Sequence, residues 1–72
     1  MFDVDKIKHY YNVLDLLKEF NIYIHLGSRL DDLELTEVEL NRLYRAKLID
    51  KKIYVRAMTI VEGEVRKEKG NE

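Results

Sequence analysis

The sequence predicts an all-α fold, a compact three-helix bundle with an extended connector between helix 1 and helix 2. Three observations carry this: apolar residues recur at helical spacing in three stretches, proline is absent, and the one alternating segment has no partner strand within the chain. Tyr10, Tyr11, Leu14, Leu17 and Phe20 define the apolar face of the first helix, with Asp15, Lys18 and Glu19 opposite. Its start has two candidates, Asp5 capping a long helix or Asn12 a short one, and Asn21 suits the left-handed residue at its end.

The connector is Ile22-Tyr23-Ile24-His25-Leu26, with aliphatic side chains on one side and Tyr23 and His25 on the other. A lone strand leaves its backbone groups unpaired, so the segment is expected to lie across the helices. Pairing between two copies is the lesser alternative. Gly27 then breaks the pattern, and Ser28 is placed to cap a second helix with Asp31 in its first turn. Leu30, Leu33, Leu40, Leu43 and Tyr44 share one face of that helix, whereas Leu35 and Val38 fall away from it. Either the helix buries a wide stripe, or it restarts at Thr36-Glu37-Val38-Glu39, which has the form of a capping box.

Leu48 and Ile49 plug the following turn, and Asp50 caps a third helix buried through Ile53, Ala57, Ile60, Val61 and Val65. Gly63 within that helix costs about 1 kcal/mol relative to alanine; it either admits a close neighbour or serves no packing purpose. The 72 residues make a single small helical domain, with its core over about residues 10–66 and frayed ends. There is no cysteine and only His9 and His25 as imidazoles, so stability rests on packing, capping or self-association. The opening residues have no basic stretch followed by an apolar run, and no apolar run approaches a membrane span, so the chain is expected to be cytoplasmic.

Charge is divided along the chain. Through residue 40 there are four basic side chains against nine acidic ones, and from residue 41 onward nine basic against five acidic. The overall charge of −1 therefore conceals a dipolar molecule, able to hold an anion on one side. Helix dipoles account for part of this, because acids lead and bases trail along the second helix.

Enzyme activity is not expected. Neither a phosphate loop nor a dinucleotide glycine pattern is present, and the two histidines are too distant in sequence for a helical metal pair. Asp31, Asp32 and Glu34 complement a helix start and lack the spacing and glycine of a calcium loop, so no metal and no cofactor are expected. The sharper candidate is basic. Arg42, Arg45, Lys47, Lys51, Lys52 and Arg56 flank one interhelical turn, with Tyr44 and Tyr54 among them, and cations beside stacking aromatics suit a sequence-tolerant single-strand site. The plainer reading is a solvated face, with Tyr44 in the core beside Leu40. Arg29 at a helix start offers a second anion contact beside Tyr23 and His25, or it simply pairs with Asp32 or Glu34 to lock the connector. A duplex-DNA reading is weaker, because the chain lacks the positive excess of a duplex binder.

The run Tyr11-Asn12-Val13-Leu14-Asp15-Leu16-Leu17-Lys18-Glu19-Phe20, then Ile24-His25-Leu26-Gly27-Ser28-Arg29, Asp32-Leu33-Glu34-Leu35, Glu39-Leu40, Leu43-Tyr44 and Leu48-Ile49, resembles the YqgQ-like family of small bacterial proteins. The resemblance spans roughly residues 10–60 and implies a compact three-helix bundle. On function it implies only a suggested binding of single-stranded nucleic acid. The chain departs from the family pattern at Asn12, where an aspartate commonly caps, at Asn21, where glycine is usual, and at Thr36, where methionine sits. The turn around Lys47 is also similar to a widespread helical hairpin with glycine at that place, which puts Lys47 in a left-handed conformation.

These readings converge on a non-enzymatic binding module. Single-stranded RNA or DNA is the favoured partner, with Arg29, Arg42, Arg45, Lys51, Lys52 and Arg56 on phosphates and Tyr23 and Tyr54 stacking bases. The alternative is a protein-interaction or self-associating adaptor with no nucleic-acid role and no membrane partner.

Overall fold

Three helices follow from three capping events. The computed structural model describes residues 3–70. A 3₁₀ turn at Val4–Lys6 precedes α1 (Tyr10–Lys18), α2 (Arg29–Arg45) and α3 (Lys51–Gly70), and there is no strand among the described residues. The helix α3 continues through Gly70, so the tail expected to fray after about residue 66 is helical as far as it is described, and residues 71 and 72 lie outside the described residues.

Neither Asp5 nor Asn12 caps α1. His9 occupies the cap position, and Asn12, three residues in, turns its Oδ1 back to accept the backbone N–H groups of His9 at 2.9 Å and Lys8 at 3.1 Å. Asp5 lies within the 3₁₀ turn, where its N–H donates to Asp3 Oδ1. Ser28 does begin α2, but its hydroxyl makes no capping bond. Asp32 stabilises this entry instead: its Oδ1 accepts the Leu26 N–H at 2.7 Å and fixes the end of the connector. Asp50 caps α3 as expected, accepting the Ile53 N–H at 2.9 Å.

The first two helices end alike. Ile22 N–H bonds the Leu17 carbonyl and Asn21 N–H the Lys18 carbonyl, each at 3.0 Å, with Asn21 at φ 61°. After α2, Leu48 N–H bonds the Leu43 carbonyl at 2.9 Å and Lys47 N–H the Tyr44 carbonyl at 3.0 Å, with Lys47 at φ 62°. Both are Schellman ends, each with a left-handed residue, as the sequence predicts for Asn21 and Lys47.

The core is built from Ile7, Tyr10, Val13, Leu16, Leu17, Leu33, Leu40, Leu43, Ile49, Ile53, Ala57 and Val61. Most of the packing joins α2 to α3, and α1 lies mainly on α3. Relative to the sequence reading, α1 is rotated: Val13 and Leu16 are buried, Leu14 is half-buried and Tyr11 is 62% exposed. The sequence Tyr-Tyr-Asn-Val-Leu-Asp-Leu-Leu is apolar on most sides, so its spacing alone does not select a face. A tertiary bond selects it. Tyr10 Oη lies 3.0 Å from Thr36 Oγ1, and the Thr36 hydroxyl donates to the Asp32 carbonyl at 2.7 Å, so Tyr10 is the donor to Thr36.

Thr36 is thus a fully buried interior residue of one continuous α2, and the helix does not restart there. In the turn before α3, Ile49 is buried but Leu48 is 57% exposed, so only Ile49 acts as a plug. Residues 22–26 run extended across the helices without forming a strand; Ile22 and Ile24 are half-buried, while Tyr23 and His25 face solvent. Gly63 admits no close neighbour: a Cβ there would meet only Arg66 Nη2, at 3.9 Å.

Candidate nucleic-acid interface

The helices distribute the predicted cations over two ends of the molecule. The 17-residue α2 holds Arg29 and Arg45 about 24 Å apart at roughly 1.5 Å per residue. Arg29 therefore does not join the cluster around the α2–α3 turn, and Tyr23 stands exposed on the connector.

Arg29 is held by the protein. Its Nη2 lies 2.9 Å from Glu64 Oε1 on α3, and its guanidinium sits over the Tyr10 ring, 4.6 Å from the centroid. Arg29 does act as a lock, but through Glu64, 35 positions away, and not through Asp32 or Glu34. Lys67 approaches the other oxygen of the same carboxylate at 3.2 Å. Hydrogen bonds from Lys67 and then Arg29 hold the Glu64 carboxyl below its ordinary pKa, while burial pushes the Tyr10 hydroxyl up.

Arg56 is also engaged. Its Nε donates to the Ile7 carbonyl at 2.7 Å, fastening the segment before α1 to α3. Arg42, at the exposed end of α2, pairs with Glu39 at 3.3 Å. That leaves Arg45, Lys47, Lys51 and Lys52 around the turn, none of them in an ion pair among the described residues. The acid among them is Asp50, which lines the cleft at this turn and is engaged in capping α3. Farther up α2, burial first and the neighbouring Glu62 and Glu34 next raise the pKa of Glu37.

The aromatic component differs from the expectation. Tyr54 does not stand free: its hydroxyl donates to Asn41 Oδ1 at 2.9 Å, and its ring is stacked on Tyr44, with centroids 4.3 Å apart and planes 9° from parallel. Tyr44 is not core. It remains 36% exposed and borders a shallow cleft with Arg45, Leu48 and Lys51. Tyr54 is therefore the anchored support and Tyr44 the exposed ring. The sequence signal for this is positional: Tyr44 lies in the last turn of α2, one residue beyond buried Leu43, where the hairpin opens. Lys47 joins the cluster because its left-handed backbone places it at the tip of the turn.

Among the described residues, no three His, Cys, Asp or Glu side chains converge as a metal site, and no helix is long and apolar enough to cross a membrane. A family model described as YqgQ-like matches residues 7–67. No curated protein and no solved structure matches the chain.

Proposed function

The chain belongs to the YqgQ-like family, and from that premise and the geometry of the α2–α3 turn we propose that it is a non-enzymatic module binding single-stranded RNA or DNA at the hairpin tip. The observation that carries this reading is the anchored Tyr44–Tyr54 stack beside four cations that make no ion pair among the described residues. A ring fixed by a second ring and a hydrogen bond presents its face to a base with little rotamer entropy to lose. Arg45, Lys47, Lys51 and Lys52 then neutralise the phosphates on either side. Arg42 and Arg56 are engaged within the protein and Arg29 lies at the other end of α2, so the proposed interface is smaller than the sequence suggests.

The test is fluorescence anisotropy of labelled oligo-dT and oligo-U at low and moderate salt, with an Arg45→Glu/Lys52→Glu variant alongside. Binding should weaken steeply with salt, be lost in the double variant, and fall about tenfold in Tyr44→Ala through lost stacking. Absence of binding even at low salt would sink the reading. The rival, self-association, is favoured by the connector, where Tyr23, Ile24 and His25 make no backbone–backbone hydrogen bond among the described residues. Sedimentation showing a dimer that persists at high salt would select it.

A further inference from the structure

A second concave surface lies between the start of α1 and the C-terminal half of α3, away from the hairpin tip. Leu14 and Ile60 give it an apolar floor, and this open groove offers about 630 Å³, within the range of small-ligand sites. Gly63 keeps this floor low. The glycine has no positive φ and no neighbour that a side chain would strike, so neither turn geometry nor close packing accounts for it in mid-helix. What its missing side chain leaves is open space in the groove.

Aromatic rings and cations border that space. His9 and Tyr11 are stacked with centroids 5.3 Å apart and planes 15° from parallel, and Tyr11 is the more exposed of the two tyrosines that open α1. Lys8 stands at the α1 side without an ion pair among the described residues. Across from it, Glu64 holds Arg29 and Lys67 in place with its two oxygens. Three cations against one carboxylate leave a net positive rim over an apolar floor with an aromatic wall.

We infer that this groove binds a nucleoside monophosphate, the base lying against Tyr11 above Leu14 and Ile60 and the phosphate between Lys8 and the Arg29–Lys67 pair. A planar ring alone leaves the cations unused, and inorganic phosphate alone leaves the apolar floor exposed; a ligand carrying both groups satisfies both. The site is independent of the proposed strand interface and shares no residue with it.

The experiment is an amide NMR titration of the intact chain with AMP and UMP, with adenosine and inorganic phosphate as separate arms. Either nucleotide should shift the amides of residues 8–14 and 59–67 saturably, and more tightly than adenosine or phosphate. Gly63→Leu fills the floor with a better helix former, so it should melt no lower than the parent yet bind about tenfold more weakly. Tyr11→Ala should weaken binding similarly, and Arg45→Glu/Lys52→Glu should leave it unchanged. No saturable shift, an equal response to phosphate alone, full affinity in Gly63→Leu, or loss of affinity in the hairpin-tip variant would each overturn the assignment.

Discussion

Two helix ends in this molecule have the same backbone and opposite side-chain choices. After α1, the left-handed position is Asn21, a residue that tolerates it, and the next residue, Ile22, is half-buried against the core. After α2, the left-handed position is Lys47, which gains nothing local from that conformation, and the next residue, Leu48, is left 57% exposed. The first end follows what the fold prefers. The second departs from it twice within two residues and carries four cations that make no ion pair among the described residues. Departures from local preference concentrate where a surface serves something besides folding, which is why the second end is the better place to look for a ligand.

Substitutions test this contrast directly. The largest effect is expected at Asn21. A β-branched valine there faces the full left-handed penalty, and Asn21→Val should destabilise by about 1–3 kcal/mol, read from urea unfolding. A near-neutral result would mean that the α1 end is soft and the comparison does not hold. Lys47→Gly should act oppositely, raising stability by about 1 kcal/mol by relieving strain while weakening oligonucleotide binding. Calorimetry and anisotropy on the same variant separate the two effects. A lower melting temperature would show that Lys47 stabilises the turn, removing the argument from strain.

The smallest effect is the pH dependence that Glu64 contributes. Because Glu64 has a lowered pKa when folded, the unfolded chain binds more protons in the window below the ordinary carboxylate value. Its contribution is therefore complete above that value and is lost as pH falls through the lower folded one. Thermal melts across the acidic range should show a shallower decline in Glu64→Gln than in the parent. Identical slopes would show that the bonds of Glu64 to Lys67 and Arg29 contribute nothing to the pH dependence of stability.

Elements dictated by near neighbours were legible in the sequence. The Asp50 cap, the left-handed Asn21 and Lys47 and the extended connector each depend on residues within a few positions. What was not legible depends on partners far along the chain. The face of α1 is chosen by a hydrogen bond from Tyr10 to Thr36, 26 positions away, and Arg56 is taken up by a carbonyl 49 positions away. The candidate site divides the same way. Charge order located the cluster at the turn, but which cations are already engaged, and which tyrosine of the stacked pair is exposed, follow from tertiary contacts that a periodic pattern does not encode.

The bond between Arg56 and the Ile7 carbonyl also bears on how the protein is made. Ile7 is completely buried, yet its carbonyl is bonded from α3, which is synthesised well after it. During synthesis Ile7 and Tyr10 emerge early and must wait, exposed, while α2 and α3 form their hairpin through contacts close in sequence. Ile7 therefore finds its full cover only after α3 has been made.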